Sequence, residues 1–225
     1  MGRPSRALLS REIIAGAALD VVDAHGSDGL TMRAVAERLG VKAASLYNHV
    51  SGKDELIDGL AELVNAEIDL SPLAPAGPDW RSGVARYARG YRAAFLRHPH
   101  TIALLARRRV GAERQLLGYD TLLAALGRAG LAPADAAEAA AALDYLVLGS
   151  ALETFAAGFT SPSDDYRPRY PALAGALVAS AERGTSGPGA PGLDERGFEL
   201  ALGLLLDGLA ARLAGSAEPP EAARA

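Results

Sequence analysis

Cysteine is absent from all 225 residues, so disulfides, thiolate nucleophiles and cysteine-containing zinc sites are excluded and the fold must hold by packing alone. Long hydrophobic runs are missing as well. The apolar stretch at residues 200–206 is cut by Asp207 and that at 173–181 by Glu182, both too short to cross a bilayer. Behind the basic start Met1-Gly2-Arg3-Pro4-Ser5-Arg6, the charges of Arg11, Glu12 and Asp20 leave no core for a signal peptide. There is no nucleophile elbow, no glycine-rich phosphate loop and no paired-carboxylate signature. These absences imply a soluble, cytoplasmic chain with no membrane partner, no cofactor and no catalytic centre.

What is present is an ordinary globular composition with a helical lean, 49% hydrophobic and 22% charged, rich in alanine and leucine. The net charge of −4 is unevenly spread. Residues 1–53 carry seven basic against five acidic side chains, whereas the remainder carries sixteen against twenty-two. An acidic body repels a polyanion and leaves the N-terminal face as its favourable approach.

Apolar residues recur at helical spacing nearly everywhere and period-2 alternation is not sustained, which predicts an all-α fold. The first helix is expected over residues 11–25, capped by Ser10, ended by Gly26 and packed through Ile13, Ala17 and Val21. Thr31 can cap a second helix ending at Gly40, and a short third is expected over 43–49. Ser51 and Asp54 have capping-box spacing for a fourth over 51–68. Three prolines at Pro72, Pro75 and Pro78 mark a connector. Further helices are expected over 80–97, 100–107, 112–129, 133–159, 171–182 and 194–213. Residues 160–169 read as a polar, proline-containing stretch, 184–192 as a flexible loop, and 216–225 as a disordered tail.

Helix, glycine turn and short helix over 31–49 have the length and punctuation of a helix-turn-helix. Val35, Leu39, Val41, Leu46 and Val50 can hold the two helices together, leaving Ala43, Ala44, Ser45, Asn48 and His49 outward. Such a surface suits the major groove: small side chains admit the backbone, alanine meets a thymine methyl, and serine and asparagine bond to base edges. Tyr47, Lys42, Lys53 and Thr31 are candidates for phosphate contacts, and Arg3 and Arg6 for a minor-groove arm. Two short amphipathic helices around a glycine also occur in ordinary all-α cores.

The run Gly29-Leu30-Thr31-Met32-Arg33-Ala34-Val35-Ala36-Glu37-Arg38-Leu39-Gly40-Val41, then Ala44-Ser45-Leu46-Tyr47-Asn48-His49-Val50 and Lys53-Asp54-Glu55-Leu56, closely resembles the DNA-binding domain of the TetR family of bacterial repressors. The resemblance implies a recognition helix carrying Ala43, Ala44, Ser45, Tyr47, Asn48 and His49, with Thr31, Arg33 and Lys53 contacting or flanking the DNA backbone. It divides the chain into a three-helix DNA-binding domain at 1–57 and a helical ligand-binding and dimerisation domain at 58–215.

A single recognition helix reads few base pairs, so double-stranded operator DNA is expected to be bound by a homodimer on a palindrome. The helix over 134–159, apolar on nearly all faces, and the stripe Phe198, Leu202, Leu205, Leu209 and Leu213 are the candidate dimer elements. A small-molecule effector is expected between the connector and those helices. Tyr87, Tyr91 and Phe95, at i, i+4 and i+8, form either a core stripe or a pocket wall. Glu153 within an apolar helix either faces a cavity or pairs with Arg108 or Arg109. Arg107-Arg108-Arg109 also reads as a solvated helix end, and His98 with His100 lacks a third metal ligand. A weaker resemblance to the tetracycline-repressor branch rests on Trp80, Phe95-Leu96-Arg97-His98 and Leu148-Gly149-Ser150-Ala151-Leu152-Glu153. It puts pocket positions at Asn65, Tyr87, Tyr91, Leu105, Arg108, Arg109, Thr121 and Glu153. At Leu105 that branch has the histidine that binds drug-chelated magnesium, so a mainly hydrophobic effector without magnesium is expected, with Arg108 or Arg109 available to an anionic or carbonyl group. The alternative is a ligand-binding module or enzyme whose N-terminus does not read DNA.

Overall fold

A computed structural model of the chain describes residues 9–77, 79–105, 108, 110–152, 158–184 and 192–216. Expectations placed on Arg3, Arg6, Arg107, Arg109, Glu153 and residues 217–225 lie outside the described residues. Among those described the chain is all-α: eleven α-helices, two 3-10 turns and no strand. It divides into two compact units, Met1–Ala140 and Ala141–Ala225.

The first unit holds α1 (Arg11–His25), α2 (Met32–Leu39), α3 (Ala43–Leu46), α4 (Lys53–Ala66), α5 (Trp80–Arg97), α6 (Pro99–Leu105), α7 (Glu113–Arg128) and the start of α8 (Pro133–Leu152). Helix α1 begins where the Ser10 hydroxyl accepts from the Ile13 amide at 3.3 Å and stops at Gly26, whose φ of 74° few side chains tolerate. Its buried face is Ile14, Ala15, Ala17, Ala18, Val21 and Val22, whereas Ile13 is 37% exposed. Of the expected stripe Ala17 and Val21 are buried and Ile13 is not, its place being taken by Ile14, because α1 packs against both α2 and α4 and needs a broad face. Close packing on α4 uses small residues: a Cβ added at Gly59 would stand 2.9 Å from that of Ala15.

The start of α4 differs from the expected capping box. Gly52 is the N-cap, so the N3 position falls on Glu55, and the Glu55 carboxylate accepts from the Ser51 amide at 2.7 Å. Asp54 points elsewhere, as described below. The connector packs on α5 through a 3-10 turn that buries Pro72 and Leu73, and Asp79 caps α5 by accepting from the Ser82 amide at 3.1 Å. Helix α4 is shorter than expected at both ends, whereas α6 begins one residue earlier than expected and its expected end at 106–107 lies outside the described residues.

The second unit holds the rest of α8 together with α9 (Ser163–Tyr166), α10 (Pro171–Gly184) and α11 (Leu193–Ser216). The short α9 lies in a stretch expected to be irregular, and residues 158–160 are not α-helical, so α8 does not run on to Phe159. On α11 the buried stripe is Phe198, Leu202, Leu206 and Leu209; Leu205 and Leu213 are only half-buried. Leu200 and Leu204 on α11, and Tyr145 and Leu152 on α8, are exposed. Among the described residues no helix is long and apolar enough to cross a membrane.

Candidate DNA-reading head and effector site

The head is built from α2, the turn after it and α3. The Thr31 hydroxyl accepts from the Ala34 amide at 3.0 Å, so this threonine acts as the N-cap of α2. Gly40 adopts the left-handed conformation at φ 65°, ψ 32°, and the Val41 amide folds back on the Ala36 carbonyl at 2.9 Å, which stops the helix in a tight turn. Val35, Leu46 and Val50 are buried beneath it, while Leu39 and Val41 are half-buried. Outward lie Ala44, Tyr47 and Asn48, all exposed, with Ala43, Ser45 and His49 half-buried beside them. Arg33, Lys42 and Lys53 are exposed cations on the same run of elements.

Helix α3 ends at Leu46 rather than at His49, since the amides of His49 and Val50 both close on the Leu46 carbonyl and the chain turns toward α4. That turn is clamped by Arg11 and Glu55, a pairing the sequence did not reveal. Arg11 donates from Nε to the His49 carbonyl at 2.9 Å and pairs with Glu55 at 2.9 Å, while Glu55 holds the Ser51 amide. The Ser51 amide and hydroxyl, with help from Arg11, keep the Glu55 carboxyl below the usual carboxylate range. Arg38 of α2 forks onto Asp20 of α1 at 3.0 and 2.7 Å, holding those two helices in register.

Helix α4 carries Asp54, Asp58 and Glu62 at i, i+4 and i+8, one face of a helix. Asp54 and Asp58 engage the segment between α6 and α7, and Glu62 engages the first turn of α7. The Arg108 guanidinium reaches Asp54 at 2.8 Å and Asp58 at 2.6 Å, and Glu62 accepts from the backbone amides of Glu113 and, at 3.1 Å, Arg114. Hydrogen bonds from Arg108 to Asp54 and Asp58 push its pKa up. Arg108 stands, with Gly111 and Ala112, at the wall of a cleft of about 750 Å³ against α1 and α4. Nearby, the imidazole of His98 lies 2.7 Å from Asp23 of α1 and 3.0 Å from Glu67, which also takes hydrogen bonds from Arg97. Burial raises the Glu67 pKa, but the bonds from Arg97 and His98 outweigh it and hold the group below its ordinary value. His100 is exposed.

Tyr87, Tyr91 and Phe95 of α5 are all buried, with ring centroids 5.9 and 5.4 Å apart in succession. Tyr87 and Tyr91 join Asn65 of α4 around a cavity of about 10 Å³, closed on its far side by Arg114, Gln115, Gly118 and Tyr119 of α7. Three of the expected effector residues therefore meet. Phe95, Leu105 and Thr121 do not line this cavity; Thr121 bonds back to the Leu117 carbonyl at 2.7 Å. On α7 the expected residue was Thr121; Arg114, Gln115, Gly118 and Tyr119 were missed because the spacing there signals only an amphipathic helix.

Two family models match the chain: "Bacterial regulatory proteins, tetR family" over residues 14–60 and "Tetracyclin repressor-like, C-terminal domain" over residues 71–213. Among curated relatives, the tetracycline repressor protein class A from transposon 1721 of Escherichia coli is 36% identical over 200 residues, covering 87% of this chain and 88% of that one. Among solved structures, ActR of Streptomyces coelicolor is 28% identical. Its apo form has a TM-score of 0.72 over 94% of this chain and 99% of that one. Its complex with actinorhodin has a TM-score of 0.74 over 94% and 100%.

Proposed function

Because the chain belongs to the TetR family of bacterial regulatory proteins, whose models span most of its length, we propose that it is a ligand-responsive transcriptional repressor. It binds palindromic double-stranded operator DNA as a homodimer in the cytoplasm and is released by a small, mainly hydrophobic effector. The observation that carries this is the head: a Thr31-capped helix, a left-handed Gly40 turn and an exposed Ala44, Tyr47 and Asn48 backed by a dry Val35–Leu46–Val50 floor. Residues 1–57 do the DNA reading, and 58–215 bind effector and partner. Exposed Tyr145, Leu152, Leu200 and Leu204 are apolar side chains that a second copy would cover, which supports pairing through α8 and α11. Helix α4 is the lever, since it follows the head directly and grips Arg108 and the first turn of α7. Effector and operator then weaken one another by the same factor, as linkage requires.

Selection of bound duplexes from a random pool at a stated moderate salt tests the DNA reading. An enriched two-fold palindrome with half-sites about one helical turn apart, roughly 34–36 Å, is expected. Enrichment no greater than non-specific binding would remove the proposal. The same reading excludes magnesium-tetracycline as effector. Leu105 stands where resemblance to the tetracycline-repressor branch puts its magnesium-binding histidine, and an alkyl side chain cannot ligate a hard cation. Titration with tetracycline is expected to give the same weak response with and without magnesium; tight binding that needs the metal would contradict it.

A further inference from the structure

We infer that the effector is a planar aromatic anion, a carboxylate or phenolate, whose charge is read by Arg114 at the first turn of α7. This rests on taking the cavity between α4, α5 and α7 as the effector seat. Its walls have a definite chemistry: the tyrosines Tyr87, Tyr91 and Tyr119, the amides of Asn65 and Gln115, and one cation, Arg114, with no carboxylate in the lining among the described residues. Aromatic faces favour a flat ring system, and phenol and guanidinium donors favour an oxygen that carries negative charge. The Glu62 carboxylate of α4 is turned onto the Glu113 and Arg114 amides, so it caps α7 and is not among the residues lining the cavity. Arg108, the sequence's candidate for an anionic group, is held by Asp54 and Asp58 and lines the other cleft.

The cavity holds space for about one water, so a ligand enters only if its walls part. Tyr87 and Tyr91 sit on α5 with 4% and 7% exposure and are packed in series with Phe95, which makes them the fixed wall. The yielding wall is α7. At Gly118 there is no side chain, and a Cβ placed there would meet only the Tyr87 hydroxyl, at 3.7 Å. A flat ring slid between Tyr87 and Gly118 would bring its anionic edge toward Arg114, one helical turn away on the same face. Because the Arg114 amide is bonded to Glu62, moving that turn pulls on the α4 lever.

The test uses the full-length protein with 1-hydroxy-2-naphthoate and its neutral methyl ester, titrated calorimetrically. The acid is expected to bind at least tenfold tighter than the ester. Arg114→Gln, a change at an exposed residue, is expected to erase that preference while leaving ester affinity within about twofold. Gly118→Leu, or Gly118→Ala if the larger side chain prevents folding, is expected to weaken both probes. Equal affinity for acid and ester, or a preference that survives Arg114→Gln, overturns the inference; if both probes are still weakened at Gly118, the effector seat itself stands. Binding that ignores the Gly118 variants places the ligand elsewhere and overturns the seat and the inference together. Failure of both probes to bind at millimolar concentration also overturns the inference.

Discussion

Asn48→Ala is expected to lower affinity for the selected operator by about 30-fold to more than 10,000-fold at constant salt, and to relax base preference at one position in each half-site. An asparagine that bonds a base edge in two places contributes about 1–3 kcal/mol of discrimination. A palindrome reads the residue twice, so the two losses sum to about 2–6 kcal/mol if the half-sites act independently. Asn48 is exposed and stands just beyond the end of α3, with no core to disturb, so stability should hold. Tyr47→Phe is the contrast. Its ring is 56% exposed and the assigned role is a phosphate contact, so loss of the hydroxyl should weaken all duplexes alike and leave the consensus unchanged. Gel-shift titrations against the consensus and a set of single-base variants separate the two. A uniform loss for Asn48→Ala together with altered preference for Tyr47→Phe would mean the outward face of the head is assigned backwards.

How much of this was legible in the sequence depends on the range over which each feature is decided. The caps at Ser10, Thr31 and Gly40 were readable because each is settled within a few residues of its own helix end. The α4 cap was readable in kind but misplaced by one position: Ser51 suits an N-cap, yet Gly52 takes that place and hands the N3 position to Glu55. On the α1 stripe Ala17 and Val21 were readable and Ile13 was not. Ile13 and Ile14 are equally apolar, and only the combined packing of α2 and α4 buries the second and leaves the first in water. On α11 the same choice between neighbours put Leu206 into the core ahead of Leu205. The tyrosine stripe of α5 was visible as an i, i+4, i+8 pattern, but its opposing wall on α7 was not, since periodicity tells which face is apolar and not what it meets. Least legible was the role of Arg108, whose partners lie 50 and 54 residues away and whose charge looked like the solvated end of a helix.

Arg108→Ala is expected to reduce the mutual weakening of effector and operator from the 5- to 150-fold usual for a coupling of about 1–3 kcal/mol to within about threefold of none. Stability should change little. The carboxylates left behind, Asp54 and Asp58, are 90% and 62% exposed at their side chains, so water takes over their solvation and each lost pair costs about 0–1 kcal/mol. What is lost is direction. With the guanidinium in place, displacement of Arg108 and of the first turn of α7 is transmitted to α4 at three successive turns, through Asp54, Asp58 and Glu62; without it only Glu62 remains, a full two turns from the head. The head is itself tied to the first turn of α4 by Glu55, which holds the Ser51 amide and Arg11, so a pull at Asp54 arrives directly where the head is anchored, whereas a pull at Glu62 reaches it only along two turns of α4. Operator affinity measured with and without the effector recovered by an operator-release screen gives the coupling for the wild type, Arg108→Ala, Asp58→Ala and the double variant. If the two residues act as one strap, the double variant loses no more coupling than either single variant. Additive losses would show that Arg108 and Asp58 act separately, and undiminished coupling in Arg108→Ala would show that α4 is moved by packing rather than by this strap.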